Sequence, residues 1–171
     1  PERRERWGDA WDQVAAAQEV AAATFDLQNA LGGGGSQLYG LARTLVRAAT
    51  ERTKPSAERL PEYNDAALPT LEQRLFSPAP IYADLEVHTV HSWLMRVSEL
   101  LGGDHELTVQ VLGGKAPAAR AEELVRGSVL FDPDARRALY EGGVAAIEAS
   151  KDPMIRLVAA LDPRARELRK T

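Results

Sequence analysis

The stretch 32–55, GGGGSQLYGLARTLVRAATERTKP, decides the fold class. Four glycines carry no side chain to hold a regular path, and Ser36 then offers a hydroxyl suited to the first free amides of a helix. Leu38, Leu41, Ala42, Leu45, Val46 and Ala49 follow at three- and four-residue steps, which places them on one face of a helix. Pro55 closes the segment, because its ring disfavours a helical conformation at Lys54.

The same period extends outward in both directions. Towards the N-terminus, Trp7, Trp11, Val14, Ala17, Ala21 and Phe25 predict a long amphipathic helix over residues 2–31. Beyond Pro55, Leu68, Leu71 and Leu75 form a shorter stripe, and Pro78 and Pro80 bracket a rigid corner. Tyr82, Leu85, Val90, Leu94, Val97 and Leu101 then describe a second long helix, closed by Gly102 and Gly103. The segment LTVQVL at 107–112 alternates as a strand would, but Asp104 as a cap and the helical surroundings favour a helix. Asp132-Pro133, Asp152-Pro153 and Asp162-Pro163 each put a capping carboxylate before a proline suited to the first helical position. The doubled glycines at 113–114 and 142–143 read as stops, and Arg166, Arg169 and Lys170 suit a helix C-terminus. The expected fold is all-α: a multi-helix bundle or array with two long amphipathic helices and several short C-terminal ones. It occupies one domain over 1–171, with a flexible glycine-rich connection at 32–36. GGGGS is the composition of an engineered linker and of natural glycine loops alike.

Bulk properties exclude several functions. With 21 basic and 25 acidic residues, a net charge of -4 and no long block of either sign, the chain offers no surface for tracking phosphates. Nucleic acid is not an expected partner, nor is a membrane, since no window approaches the roughly 18 apolar residues a span requires. Cysteine is absent, which removes disulfides, thiolate metal sites and cysteine nucleophiles. The opening residues, PERRERW, lack the apolar core of a secretory signal.

Catalytic chemistry is hard to place. A hydrolytic triad needs a nucleophile, a base and an orienting carboxylate converging on one atom. Asp84, His88, His91 and Ser92 have the right types, but neighbours on one rigid helix do not converge that way. Ser98 sits in the same helical pattern, and Ser77 precedes a proline. His88 and His91 could share a metal with Asp84 or Glu86, yet H-x-x-H lacks the glutamate and the four-residue step of the helical zinc motif. Gly114-Lys115 fails as a phosphate loop, because Val109 occupies the first glycine position and Ala116 follows the lysine. Gln37 stands where a dinucleotide fingerprint needs its third glycine. Glu122-Glu123 and Arg136-Arg137 read as solvated helical charge. Trp7, Trp11 and Trp93 read as core anchors. Glu58, Arg59 and Glu62 read as ion pairs tying a proline-bounded helix to its neighbours. No catalytic residue, metal ligand or cofactor is expected in this chain.

Two segments carry a resemblance: ARTLVRAATERTKPSAERLPEY at 42–63 and LFSPAPIYADLE at 75–86, supported by GGSQLY at 34–39 and DPMIRLVAALDPRARELRK at 152–170. With these the chain resembles the helical domain of the bacterial serine dipeptidyl-peptidases, the dipeptidyl-peptidase 7 and 11 types and the dipeptidyl aminopeptidases. Pro61 departs from the pattern, standing where a long, basic, helix-compatible residue is expected, so that a helix would bend or end there. The resemblance implies a periplasmic or cell-surface enzyme that removes dipeptides from peptide N-termini. In that family the serine, histidine and aspartate belong to a chymotrypsin-like double β-barrel, and the helical domain caps the cleft. This chain would then act on a peptide substrate through a parent enzyme that includes the barrel. An asparagine of the family's helical domain helps fix the substrate amine, but the surroundings of Asn29 and Asn64 do not match it, so no substrate-binding residue is assigned. The competing reading is a stand-alone helical interaction module, a monomer or homodimer binding a peptide or protein partner.

Overall fold

The computed structural model describes residues 36–78 and 81–161, and among these it is all-α, with no strand. The helix expected over 2–31, with Trp7 and Trp11, lies outside the described residues, as do the glycines at 32–35, Asn29 and the segment after Leu161. Seven α-helices are described: α1 Gln37–Arg52, α2 Leu68–Phe76, α3 Ala83–Leu101, α4 Glu106–Leu112, α5 Pro117–Arg126, α6 Pro133–Ala149 and α7 Pro153–Leu161.

The first of these, α1, is the centre of the array. Leu38, Tyr39, Ala42, Leu45, Val46, Ala48 and Ala49 are all buried, and the helix packs on α6, α7 and α2. Small residues on its far turn let α6 approach closely. There Gly143 adopts φ 67°, ψ -149°, and a Cβ at this position would meet Thr53 Cγ2 at 2.8 Å. The doubled glycine at 142–143, expected to stop a helix, instead kinks α6 where it passes the end of α1, and the helix resumes to Ala149. A second layer forms from α3 on α5, with α4 against α3, and α5 joins it to α7. Val90, Trp93, Leu94 and Val97 of α3 enter the core beside Leu124 and Val125 of α5.

Local capping explains most boundaries. Ser36 accepts from the Tyr39 amide at 3.0 Å. Asp132 accepts from Asp134 N at 2.9 Å. Asp152 Oδ1 accepts from Met154 N at 2.8 Å and Ile155 N at 3.2 Å. Gly102 and Gly113 end α3 and α4 at φ 84° and 59°. The residue that caps α4 is His105, not Asp104: its Nδ1 accepts from Leu107 N at 3.1 Å.

Two expectations are corrected. The segment around Pro61 holds two 3-10 turns, Ser56–Glu58 and Pro61–Tyr63, and no proline-bounded α-helix. Pro61 takes the first position of the second turn, where a missing amide costs nothing. Tyr82 and Leu85 belong to the expected core stripe of α3, yet they are 66% and 65% exposed. They stand at its start, where no other described helix covers them.

Candidate functional site

The residue types that sequence reasoning singled out gather in a shallow cleft of about 530 Å³ between α3 and α5, lined by Asp84, His88, His91, Glu122 and Arg126. The helical repeat puts Asp84, His88 and His91 on one side of α3, and the α3–α5 contact brings Glu122 and Arg126 opposite them. Arg126 occupies the carboxylates. Its Nη2 donates to Asp84 at 2.6 Å and its Nε donates to Glu122. These hydrogen bonds, that to Asp84 first, hold the guanidinium above its ordinary pKa.

The histidines stand apart from that pairing: His88 is exposed and His91 half-buried. No group of three or more histidine, aspartate or glutamate side chains is placed to hold a metal among the described residues. Described serine hydroxyls donate to Glu86, Asp65 and Asp152. Among the described residues no serine hydroxyl is hydrogen-bonded to a histidine. What the cleft offers chemically is two imidazoles beside two carboxylates that share one arginine.

The other singled-out residues have structural partners. Glu86 is buried at the start of α1, where its Oε1 accepts from Gln37 N at 2.8 Å and its other oxygen accepts from the Ser36 hydroxyl. Lys115 pairs with Glu123, which also accepts from Arg120 Nη1 at 2.9 Å. Trp93 is buried beside Tyr39, with ring centroids 6.1 Å apart. Asn64 Oδ1 accepts from Ala67 N at 2.9 Å, which fixes the turn before α2. Arg59 donates to the carbonyls of Lys54 at 3.0 Å and Arg52 at 3.2 Å and to Asp65 at 3.1 Å.

Arg136 is the clearest departure from the sequence reading. It is 3% exposed, not solvated, and its Nη1 and Nη2 donate to the carbonyls of Leu75 and Ser77. Burial pushes its pKa down, while nearby Asp132 acts the other way. Arg137 stays exposed and lies over the Phe76 ring, 4.2 Å from its centroid. Glu51, which sequence reasoning missed, is 1% exposed and accepts from Lys54 Nζ at 3.2 Å and Leu60 N at 3.1 Å. Its only local signal was a carboxylate at an apolar-facing position of α1.

None of the described helices is long and apolar enough to cross a membrane. Comparison with known families gives a match to Peptidase S46 over residues 1–171. The segments 42–63 and 75–86 thus build the Arg59 and Glu51 loop, the end of α2 and the Glu86 cap. A match over the whole sequence, on an all-α array, shows that the chain belongs to the peptidase S46 family, that of dipeptidyl-peptidases 7 and 11.

Proposed function

We propose that this chain is the helical cap of a serine-type dipeptidyl-peptidase, shaping the substrate cleft and closing over a bound peptide while a chymotrypsin-like barrel carries the triad. The observation that carries the reading is the S46 match on a wholly helical set of described residues. The exposed apolar pair Tyr82 and Leu85 at the start of α3 supports it as well, since a cap must present a surface to the rest of its enzyme. Action in the periplasm or at the cell surface accompanies this reading.

The test uses chromogenic dipeptidyl substrates. The purified chain is expected to release no dipeptide, and turnover by this chain that a serine-directed inhibitor abolishes would overturn the proposal. In the complete enzyme, the angle between cap and barrel is expected to differ between free and peptide-bound forms; identical angles would remove the lid role.

A further inference from the structure

Of the chain's three histidines, His105 is the one whose ring is hydrogen-bonded among the described residues. Its backbone is extended, at φ -65° and ψ 137°, just before α4, and its Nδ1 accepts from Leu107 N at 3.1 Å. Helix caps are ordinarily hydroxyls, amides or carboxylates, which accept at any pH near neutrality. An imidazole differs, because Nδ1 accepts only while it carries no hydrogen. The capping ring is therefore neutral, with its hydrogen on Nε2. Taking up a proton turns Nδ1 into a donor. The acceptor for Leu107 N is then gone, and a positive charge arrives where the helix already presents partial positive charge.

The helix so capped is short, seven residues or about two turns, so the loss of one end reaches much of it. Its other end is secured separately: Gly113 closes it at φ 59°, and Arg120 Nε donates to Val111 O at 2.9 Å. At the capped end Leu107 is 6% exposed and belongs to the core. The charged groups around the ring offer no compensation. Asp104 and Glu106 flank it in the chain and are exposed, and α3, on which α4 packs, carries exposed Arg96 and Glu99 on its last two turns. Arg120 of α5 is committed to Val111 and Glu123. Among the described residues none of these is hydrogen-bonded or ion-paired to His105. We propose that His105 is a proton-sensitive latch on α4: neutral, it holds the first turn and Leu107 in place; protonated, it releases them. The latch is closed above the ordinary imidazole range, about pH 6.5, and opens on the acid side of it. The inference stands apart from the peptidase reading and adds a device by which acid loosens the corner between α3 and α4.

Two measurements on the full 171-residue chain test this. NMR of the imidazole nitrogens at about pH 8 should show His105 with its hydrogen on Nε2; a hydrogen on Nδ1 would abolish the cap and the proposal with it. Amide exchange, expressed as protection relative to an unstructured chain at the same pH, is then followed from about pH 7.5 down to about 5. Protection of the Leu107 amide should fall about tenfold over that range while the α1 amides stay level. His105→Asn caps without titrating there and should keep Leu107 protected throughout, whereas His105→Ala should lack that protection at both ends of the range. The double variant H88Q/H91Q should retain the wild-type fall. A level wild-type profile, a fall shared by α1, an equal fall in His105→Asn, or loss of the fall in the double variant would each overturn the inference. The tautomer and the wild-type profile need no substitution, so they decide the matter even where a variant fails to fold.

Discussion

Glu86, on the first turn of α3, completes the N-terminal cap that Ser36 makes on α1: it accepts from Gln37 N at 2.8 Å and from the hydroxyl of Ser36, which itself accepts from Tyr39 N. A carboxylate there meets the positive end of the helix dipole and satisfies amides that have no partner within the helix. Replacing Glu86 with alanine strands one buried donor, the Ser36 hydroxyl, and one part-buried donor, Gln37 N, and should destabilise the chain by about 2 kcal/mol in urea unfolding. Glu86→Gln keeps one acceptor and should lose less; equal losses would show that the charge and the second oxygen contribute nothing.

Arg136, a buried residue of α6, holds the C-terminal end of α2 through two carbonyls. Arg136→Ala leaves those acceptors bare and opens a void, at an expected cost of about 3 kcal/mol. Arg136→Lys, a single point charge in place of the two-armed donor, should recover under half of that. Full recovery by lysine would contradict the bidentate role.

At Gly143 the backbone angles, φ 67° and ψ -149°, are open essentially to glycine alone, and Thr53 leaves no space for a Cβ. Gly143→Ala should cost about 2 kcal/mol or more. Adding Thr53→Ser removes the methyl that clashes but not the backbone strain, so partial rescue is expected. Complete rescue would assign the whole cost to the clash.

Asp152 serves two elements at once. Besides capping α7 it accepts from Ser128 Oγ at 3.0 Å and Val129 N at 2.6 Å. Asp152→Ala should therefore cost more than Asp132→Ala, whose side chain caps α6 alone: about 3 against about 1 kcal/mol. Equal chemical-denaturation midpoints for the two variants would contradict this.

The Tyr140 hydroxyl donates to Glu72 at 3.0 Å, and burial, then Glu72, pushes its pKa up. The folded chain thus holds the phenol proton more tightly than the unfolded one. This contribution is complete below the ordinary tyrosine value of about 10 and is lost as pH rises through the higher folded value. Unfolding midpoints followed from pH 9 upward should fall more steeply in wild type than in Tyr140→Phe; parallel curves would remove this linkage.

What was legible in the sequence was what is local. Ser36, Asp132 and Asp152 act on amides two or three residues away, and Gly102 and Gly113 on their own backbone angles, so spacing alone located them. Glu86 and Arg136 looked like a metal-ligand candidate and surface charge because their partners, Gln37 and Leu75, are distant in the chain and near only after folding. The exposure of Tyr82 and Leu85 was hidden because an apolar stripe records which face could be buried and not whether a neighbour covers it.

The attachment of α2 to the array differs in kind from that of α1. Leu75 is the one residue of α2 that is fully buried; the rest of its hold is the partly buried Leu71, Arg136, the Tyr140–Glu72 bond and the Phe76 ring. Such a helix detaches at lower free energy than α1, which buries Leu38, Tyr39, Ala42, Leu45, Val46, Ala48 and Ala49. Amide exchange should then run faster along 68–76 than along 37–52. Arg74 rides on this looser helix, so α2 is free to shift against α1 as a hinged jaw does against a fixed one.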